Sequence, residues 1–320
     1  MKAIIQREYG TTAALSYADI PEPVAGPGQV LVRVRAAGLD PSVWHLMTGL
    51  PLIGRLALGV RRPRVPVRGW DLAGVVAAVG PGVTEFAPGD EVYGGADGAF
   101  AEFACTAAEK LLRKPANLSV EQAAALPISG MTALRGLRSV GRIAAGQRVL
   151  IIGAGGGVGH LAVQLAVHDG AHVTGVCSAA KRDFVAALGT ERVIDYTSEK
   201  LTGVYDLVLD MAGNRPLSQL RELLTPTGTV VLGGGENGGR WFGGTERSMG
   251  AMLLSPLVKQ RLCGLLSLPN PADLAAVGEL AAAGAMVPRI DRTFALADAA
   301  AAIDYLTGSH PAGKVVLTVS

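Results

Sequence analysis

Seven consecutive residues, Gly153-Ala154-Gly155-Gly156-Gly157-Val158-Gly159, contain five glycines, and their neighbours suggest what they are for. The apolar run Val149–Ile152 precedes them and reads as a strand. After them Leu161, Ala162, Leu165 and Ala166 recur at helical spacing. Strand, loop and helix in that order match the pattern A-x-G-x-x-G, with Ala154, Gly156 and Gly159 at its key positions. A Cβ in such a loop would block the tight turn and hold the amides of Gly157 and Val158 away from a pyrophosphate resting on the positive end of the helix. This context favours dinucleotide binding over a glycine turn without a ligand.

The next strand-like run, Val173–Val176, ends in Cys177-Ser178, where an NAD-type site would offer an acid to the ribose hydroxyls. None is there. Ser178, Lys181 and Arg182 follow instead, and Tyr196 follows the strand after that. A hydroxyl and two cations suit a 2′-phosphate, so the expected cofactor is NADPH rather than NADH. The alternative is that Lys181 and Arg182 only solvate a helix start, with Asp183 offsetting part of their charge.

The five histidines, His45, His160, His168, His172 and His310, have no cysteine or histidine partner at ligand spacing. Cys105, Cys177 and Cys263 are odd in number and sit among apolar neighbours, as buried thiols of a reducing compartment would.

These residues must be positioned by more than one domain, because 320 residues with 49% hydrophobic content exceed the usual span of one compact unit. The first third reads as short strands between Gly/Pro turns: Lys2–Gln6, the alternating Val30, Val32 and Val34, Gly74–Val79, Glu91–Tyr93 and Phe100–Cys105. From about Leu118 apolar strands alternate with helical periodicity, the signature of parallel β/α winding. Val149–Ile152, Val173–Val176, Val193–Ile194, Leu207–Asp210, Thr229–Leu232 and Leu262–Leu266 supply six strands for a doubly wound sheet. Helices around Ala272–Ala283 and Asp298–Leu306 and a strand at Lys314–Thr318 follow. A net charge of +2, with both signs interspersed, argues against a dedicated nucleic-acid or membrane partner. Arg7 and Glu8 interrupt the start before a signal-peptide core could form, so a cytoplasmic location is expected.

Several segments, in order, resemble the medium-chain dehydrogenase/reductase superfamily over essentially the whole chain. Gly38-Leu39-Asp40-Pro41 is similar to its G-x-N-P segment, and Gly69-Trp70-Asp71-Leu72-Ala73-Gly74-Val75-Val76 to its G-x-D-x-A-G-x-V strand. Val79-Gly80 with Gly89-Asp90-Glu91-Val92 resembles its V-G and G-D-x-V pair, and Gly98-Ala99-Phe100-Ala101-Glu102 its G-x-x-A-E turn. Ala125-Leu126-Pro127 with Gly130-Met131-Thr132-Ala133 resembles the helix leading into its cofactor domain. The resemblance implies an α/β fold: a discontinuous GroES-like β-barrel catalytic domain, residues 1–118 and 267–320, enclosing a Rossmann domain with a doubly wound parallel sheet, residues 119–266. It also implies a homodimer.

Zinc-dependent members hold their metal with a cysteine near the first of these motifs and a histidine in the second. This chain has Asp40 and Trp70 there, and Asp90 runs straight through to Phe100 without the cysteines of a structural zinc lobe. A zinc-free member of the quinone oxidoreductase-like branch is therefore expected. The resemblance places the nicotinamide near Thr132 and Gly233, and Trp44, His45 and Trp70 on the substrate side. His45 is a candidate proton donor or an ordinary packed histidine. Asp40 orients it, titrates, pairs with an arginine or caps a turn before Pro41. Arg55, Arg61, Arg62, Arg64 and Arg68 either attract an anionic substrate or form a solvated basic loop. Gly233–Gly244, carrying Trp241 and Phe242, suggests a lid over a flat substrate. Hydride transfer from NADPH to a quinone or an enone/enoyl double bond is the leading activity. Aldehyde or ketone reduction and a non-catalytic NADPH-binding redox sensor are the alternatives.

Overall fold

The computed structural model describes residues 1–234, 239–243 and 245–320. It divides into two compact units, one made of Met1–Ser129 with Pro269–Ser320 and the other of Gly130–Leu268. The division falls after Ser129 and after Leu268, where the sequence reading placed it after residues 118 and 266. The shift has a physical cause. Helix Val120–Ala125, opened by a Ser119/Gln122 capping box, packs on strands of the first unit and buries Ala123, Ala124 and Ala125 completely. The turn behind it is bonded to the same unit through Ile128 and Ser129.

The first unit holds β1 (Lys2–Gln6), β2 (Leu15–Asp19), β3 (Gln29–Leu39), β4 (Asp71–Val79), β5 (Glu91–Gly95), β6 (Phe103–Ala107) and β7 (Leu111–Arg113). The second holds the strands β8 (Arg148–Ile152), β9 (His172–Cys177), β10 (Arg192–Asp195), β11 (Tyr205–Asp210), β12 (Leu224–Leu232) and β13 (Arg261–Gly264). β14 (Ile290–Ala295) and β15 (Lys314–Thr318) return to the first unit. β2, β7 and β14 are additions to the strands read from the sequence.

The first unit's main sheet runs β14-β15-β3-β4-β5-β7, with β6 also on β3. Eleven-residue β3 organises it: one edge pairs β4, while the other pairs β6 along Gln29–Arg33 and β15 along Ala36–Leu39. Sharing an edge between two strands lets the sheet turn around an apolar core of Val30, Val32, Val34, Leu72, Phe100 and Leu317. Gly38 is glycine for a local reason, since a Cβ there would meet the Ala124 carbonyl oxygen at 2.3 Å.

The second unit carries a six-stranded parallel sheet in the order β10-β9-β8-β11-β12-β13. Central β8 buries Val149, Leu150, Ile151 and Ile152 at 0–2% exposure, each side chain worth about 1.5–3 kcal/mol of transfer free energy. Helix Gly159–His168 covers it with Leu161, Ala162, Leu165 and Ala166, all 0% exposed. The strand order reverses between β8 and β11, which opens a crevice at their carboxyl ends. Among the described residues no helix is long and apolar enough to cross a membrane.

Candidate cofactor site

The glycine loop crosses that crevice. Gly153 adopts φ +83°, and Gly153 and Ala154 both donate their N–H to the Val176 carbonyl, which ties the loop to β9. Gly159 must lack a Cβ because one would meet the Gly153 oxygen at 2.0 Å. Gly156 differs: its φ is not positive, and a Cβ there would find only the Gly153 oxygen, at 3.3 Å. The fold therefore requires glycine at 159, while at 156 a Cβ would press tightly on the Gly153 oxygen without the severe overlap found at 159. Val158 is the N-cap of helix Gly159–His168, and among the described residues nothing accepts from the amides of Gly157 and Val158. Donors at a helix start with no carbonyl partner suit an anion.

His160 lies beneath this loop, 0% exposed, with Nδ1 2.8 Å from the Gly156 carbonyl. A carbonyl only accepts, so Nδ1 carries the proton and the imidazole fixes the loop from below. Sequence reading treated His160 only as a histidine without a metal partner; its place one residue after Gly159 was the available signal.

Ser178, Lys181 and Tyr196 gather beside the loop because β9 and β10 end side by side, Cys177 opposite Asp195. The Lys181 stem lies over Gly155, where an added Cβ would meet Lys181 Cδ at 2.7 Å. Tyr196 is exposed, and its N–H donates to the Cys177 carbonyl. The Arg182 guanidinium, half exposed, stands 3.2 Å from Glu199 Oε1. Sequence reading also missed Asp195. This carboxylate, 5% exposed, accepts from Thr197 N–H and Oγ1 and from Ser198 Oγ, and those bonds, the Thr197 amide foremost, hold its pKa below the ordinary carboxylate range. It organises the turn before Tyr196 and is already engaged as an acceptor.

At the end of β11, fully buried Asp210 receives Arg247 Nη2 at 2.7 Å and the amides of Ala212 and Gly213. Gly233 and Gly234 donate to the Asp210 carbonyl, and a Cβ on Gly234 would meet the Met211 carbonyl oxygen at 2.4 Å, so glycine at 234 is required by close backbone packing. Thr132 is half-buried in helix Pro127–Leu134. In the expected lid, residues 235–238 and Gly244 lie outside the described residues. Trp241 and Phe242 are 68% and 42% exposed, with Phe242 accepting from Thr245 at the start of helix Thr245–Leu254.

In the first unit, Asp40 is the N-cap of helix Pro41–Thr48, its carboxylate accepting from Ser42 N–H at 2.8 Å. It does not orient His45. The His45 Nδ1 instead donates to the Leu50 carbonyl at 2.9 Å, which fixes the ring's tautomer and orientation. Trp44 meets His45 edge-on, with ring centroids 5.1 Å apart, and packs against the core. Trp70 lies flat on Gly95, where a Cβ would strike the indole at 2.1 Å. Arg55 and Arg68 are structural: Arg55 bonds the Gly49 and Thr48 carbonyls and stacks on Tyr9, and buried Arg68 reaches the Leu46 carbonyl. Both cations sit at the negative end of helix Pro41–Thr48.

The ends of β15, β3 and β4 hold a buried polar group that sequence reading left unused. Lys314 Nζ donates to Ser129 Oγ at 2.8 Å and stands 4.0 Å from Asp71, with both ions at most 1% exposed. Burial raises the Asp71 pKa well above its ordinary value; Lys314 opposes the shift and Asp40 adds to it. The Ile128 N–H also bonds this carboxyl. Among the described residues no three His, Cys, Asp or Glu side chains gather as metal ligands would.

Residues 26–116 match the model for the alcohol dehydrogenase GroES-like domain, and residues 188–317 that for zinc-binding dehydrogenase. The chain is 30% identical to the chloroplast envelope quinone oxidoreductase homolog of Arabidopsis thaliana, over 99% of this chain and 98% of that protein. It is also 30% identical to the mitochondrial NAD(P)H oxidoreductase RTN4IP1 of Mus musculus, over 92% and 82%. Among solved structures, the quinone oxidoreductase from Coxiella burnetii superposes with a TM-score of 0.87 at 30% identity, covering 100% of this chain and 99% of that one.

Proposed function

Because the chain belongs to the medium-chain dehydrogenase/reductase superfamily, in its quinone oxidoreductase-like branch, and is an NAD(P)H oxidoreductase, we propose that it passes a hydride from NADPH to a quinone or to an enone or enoyl double bond without zinc. The observation that carries the cofactor choice is the grouping of Ser178, Lys181 and Tyr196 around strand ends where the nearest carboxylate, Asp195, is already engaged. Lys181 over Gly155 supplies a cation beside the loop for a 2′-phosphate.

The cofactor supplies the hydride; the protein orients it and manages the charge that follows. Reduction of a conjugated acceptor leaves an enolate or hydroquinone anion, which His45 in its imidazolium form protonates from Nε2, returning to the neutral ring whose Nδ1–H stays on the Leu50 carbonyl. Asp40, engaged in its helix cap, serves this site through the backbone. Zinc independence is supported by the two positions matching the family's metal ligands: Asp40 bonds Ser42, and Trp70 has no ligating nitrogen to offer. The proposed assembly is a homodimer through β13, which is an edge strand beside exposed Met249, Met252, Leu253 and Leu257. A cytoplasmic location stays a proposal, since relatives are named for chloroplast and mitochondrion.

Titration calorimetry with NADPH and NADH, followed by NADPH oxidation with a panel of quinones and enones, tests this reading. Tighter NADPH binding and turnover on a conjugated acceptor are expected. Equal affinities would remove the cofactor choice, and tight binding with no turnover on any acceptor would remove the reaction.

A further inference from the structure

The segment between helix Pro41–Thr48 and β4 combines two surface properties that the reaction does not use. Ile53, Leu56, Val60 and Val65 are 52%, 72%, 63% and 39% exposed, a dense group of large apolar side chains facing solvent within thirteen residues. Arg61, Arg62 and Arg64 are interleaved with them and exposed, and residues 41–70 contain no Asp or Glu. The acids beside the segment adjoin its buried base: Glu8 is next to Tyr9, and the charge of Asp97 reaches Arg68.

The segment is held in place by its own contacts. Tyr9 donates its hydroxyl to the Gly59 carbonyl at 2.7 Å and takes the Arg55 guanidinium over its ring at 4.4 Å. Arg64 N–H closes a turn onto the Leu58 carbonyl at 2.9 Å. Ile53 and Leu56 are three residues apart across a short helical stretch, so they point the same way, with Val60 following. Exposed aliphatic side chains followed by exposed arginines, with no acid in residues 41–70, fit a surface that is apolar just below a layer of negative charge.

We propose that residues 53–65 dock the protein on an anionic lipid bilayer, Ile53, Leu56 and Val60 entering the headgroup–acyl boundary and Arg61, Arg62 and Arg64 meeting lipid phosphates. This departs from the expectation drawn from the whole chain, because a net charge of +2 averages this acid-free stretch with the rest. The docking does not depend on which acceptor is reduced.

Sedimentation of the full chain with vesicles tests it, comparing pure phosphatidylcholine with phosphatidylcholine containing about 30% phosphatidylglycerol. Binding to the anionic vesicles alone is expected. Replacing Arg61, Arg62 and Arg64 with Gln should weaken it on the order of a hundredfold, at about fivefold per arginine. The Leu56→Ser, Val60→Ser double variant should also weaken it, with both variants checked for native circular dichroism. Failure of the wild-type chain to sediment, equal binding to neutral vesicles, or full binding by either folded variant would overturn the proposal. Loss of the segment into self-association, seen as larger particles in sedimentation velocity that the Leu56→Ser, Val60→Ser variant abolishes, would assign the surface to a second copy instead.

Discussion

At the scale of single residues, the contrast between Lys181 and Arg182 is the sharpest test of the cofactor site. Neighbours in sequence, they diverge in space: one crosses the glycine loop, the other pairs with Glu199. Lys181→Ala should weaken NADPH binding about tenfold or more, the worth of one charge-assisted hydrogen bond, and leave NADH nearly unchanged. Arg182→Ala should change neither by more than about twofold, because a surface ion pair contributes little. Parallel calorimetric titrations check both. His45→Ala should lower kcat about 10²-fold or more with a smaller change in KM, and flatten the pH profile; an unchanged kcat and profile would return protonation to solvent. Residue identities in the loop were legible because glycine spacing reports backbone approach directly. The divergence of Lys181 and Arg182 was not, since it depends on where Glu199, seventeen positions on, comes to rest.

Secondary-structure elements explain why some sequence readings changed. Asp40 had several open roles, and the helix it precedes selected one: an N-cap with Pro41 at the first position. Asp40→Ala should cost about 1 kcal/mol in urea unfolding, and Asp40→Asn almost nothing, since asparagine caps equally well. The strands β15, β3 and β4 bring Lys314, Asp40 and Asp71 to one end of a sheet across 274 positions of sequence, from 40 to 314, which no local pattern encodes. Periodicity did identify β3, β4 and β15 themselves, because alternation needs only neighbours. Burial keeps the Asp71 carboxyl protonated to higher pH in the folded chain than in the unfolded one, so stability falls as pH rises above the ordinary carboxylate value near 4. Lys314→Met should cost about 3–5 kcal/mol at neutral pH by leaving a buried carboxylate unpaired, with the loss shrinking as pH falls toward 4. Adding Asp71→Asn to that variant should restore much of the stability at neutral pH. Urea unfolding of the single and double variants at both pH values decides this, and a loss independent of pH would show that packing, not charge, holds the pair.

At the scale of the whole molecule, zinc independence is read against chelation: activity and unfolding midpoint should be unchanged by a chelator, and a loss restored by zinc would reverse the assignment. The two-unit plan was legible because the texture of the chain changes from turn-rich strands to alternating strands and helices. The boundary after Ser129 was not, because helix Val120–Ala125 has ordinary helical periodicity and only its contacts assign it to the first unit. The division also sets an order of assembly during synthesis. Residues Gly130–Leu268 leave the ribosome as an uninterrupted stretch and can close their sheet at once. The edge of β3 from Ala36 to Leu39 must wait, unpaired, until β15 emerges. Until then Asp71 lacks Lys314 as well. A nascent chain therefore carries an open strand edge and an unpaired acid while the cofactor unit is already built, so early binding of a nicotinamide cofactor would stabilise the inserted half during the interval in which the discontinuous half is most exposed to chaperones and proteases.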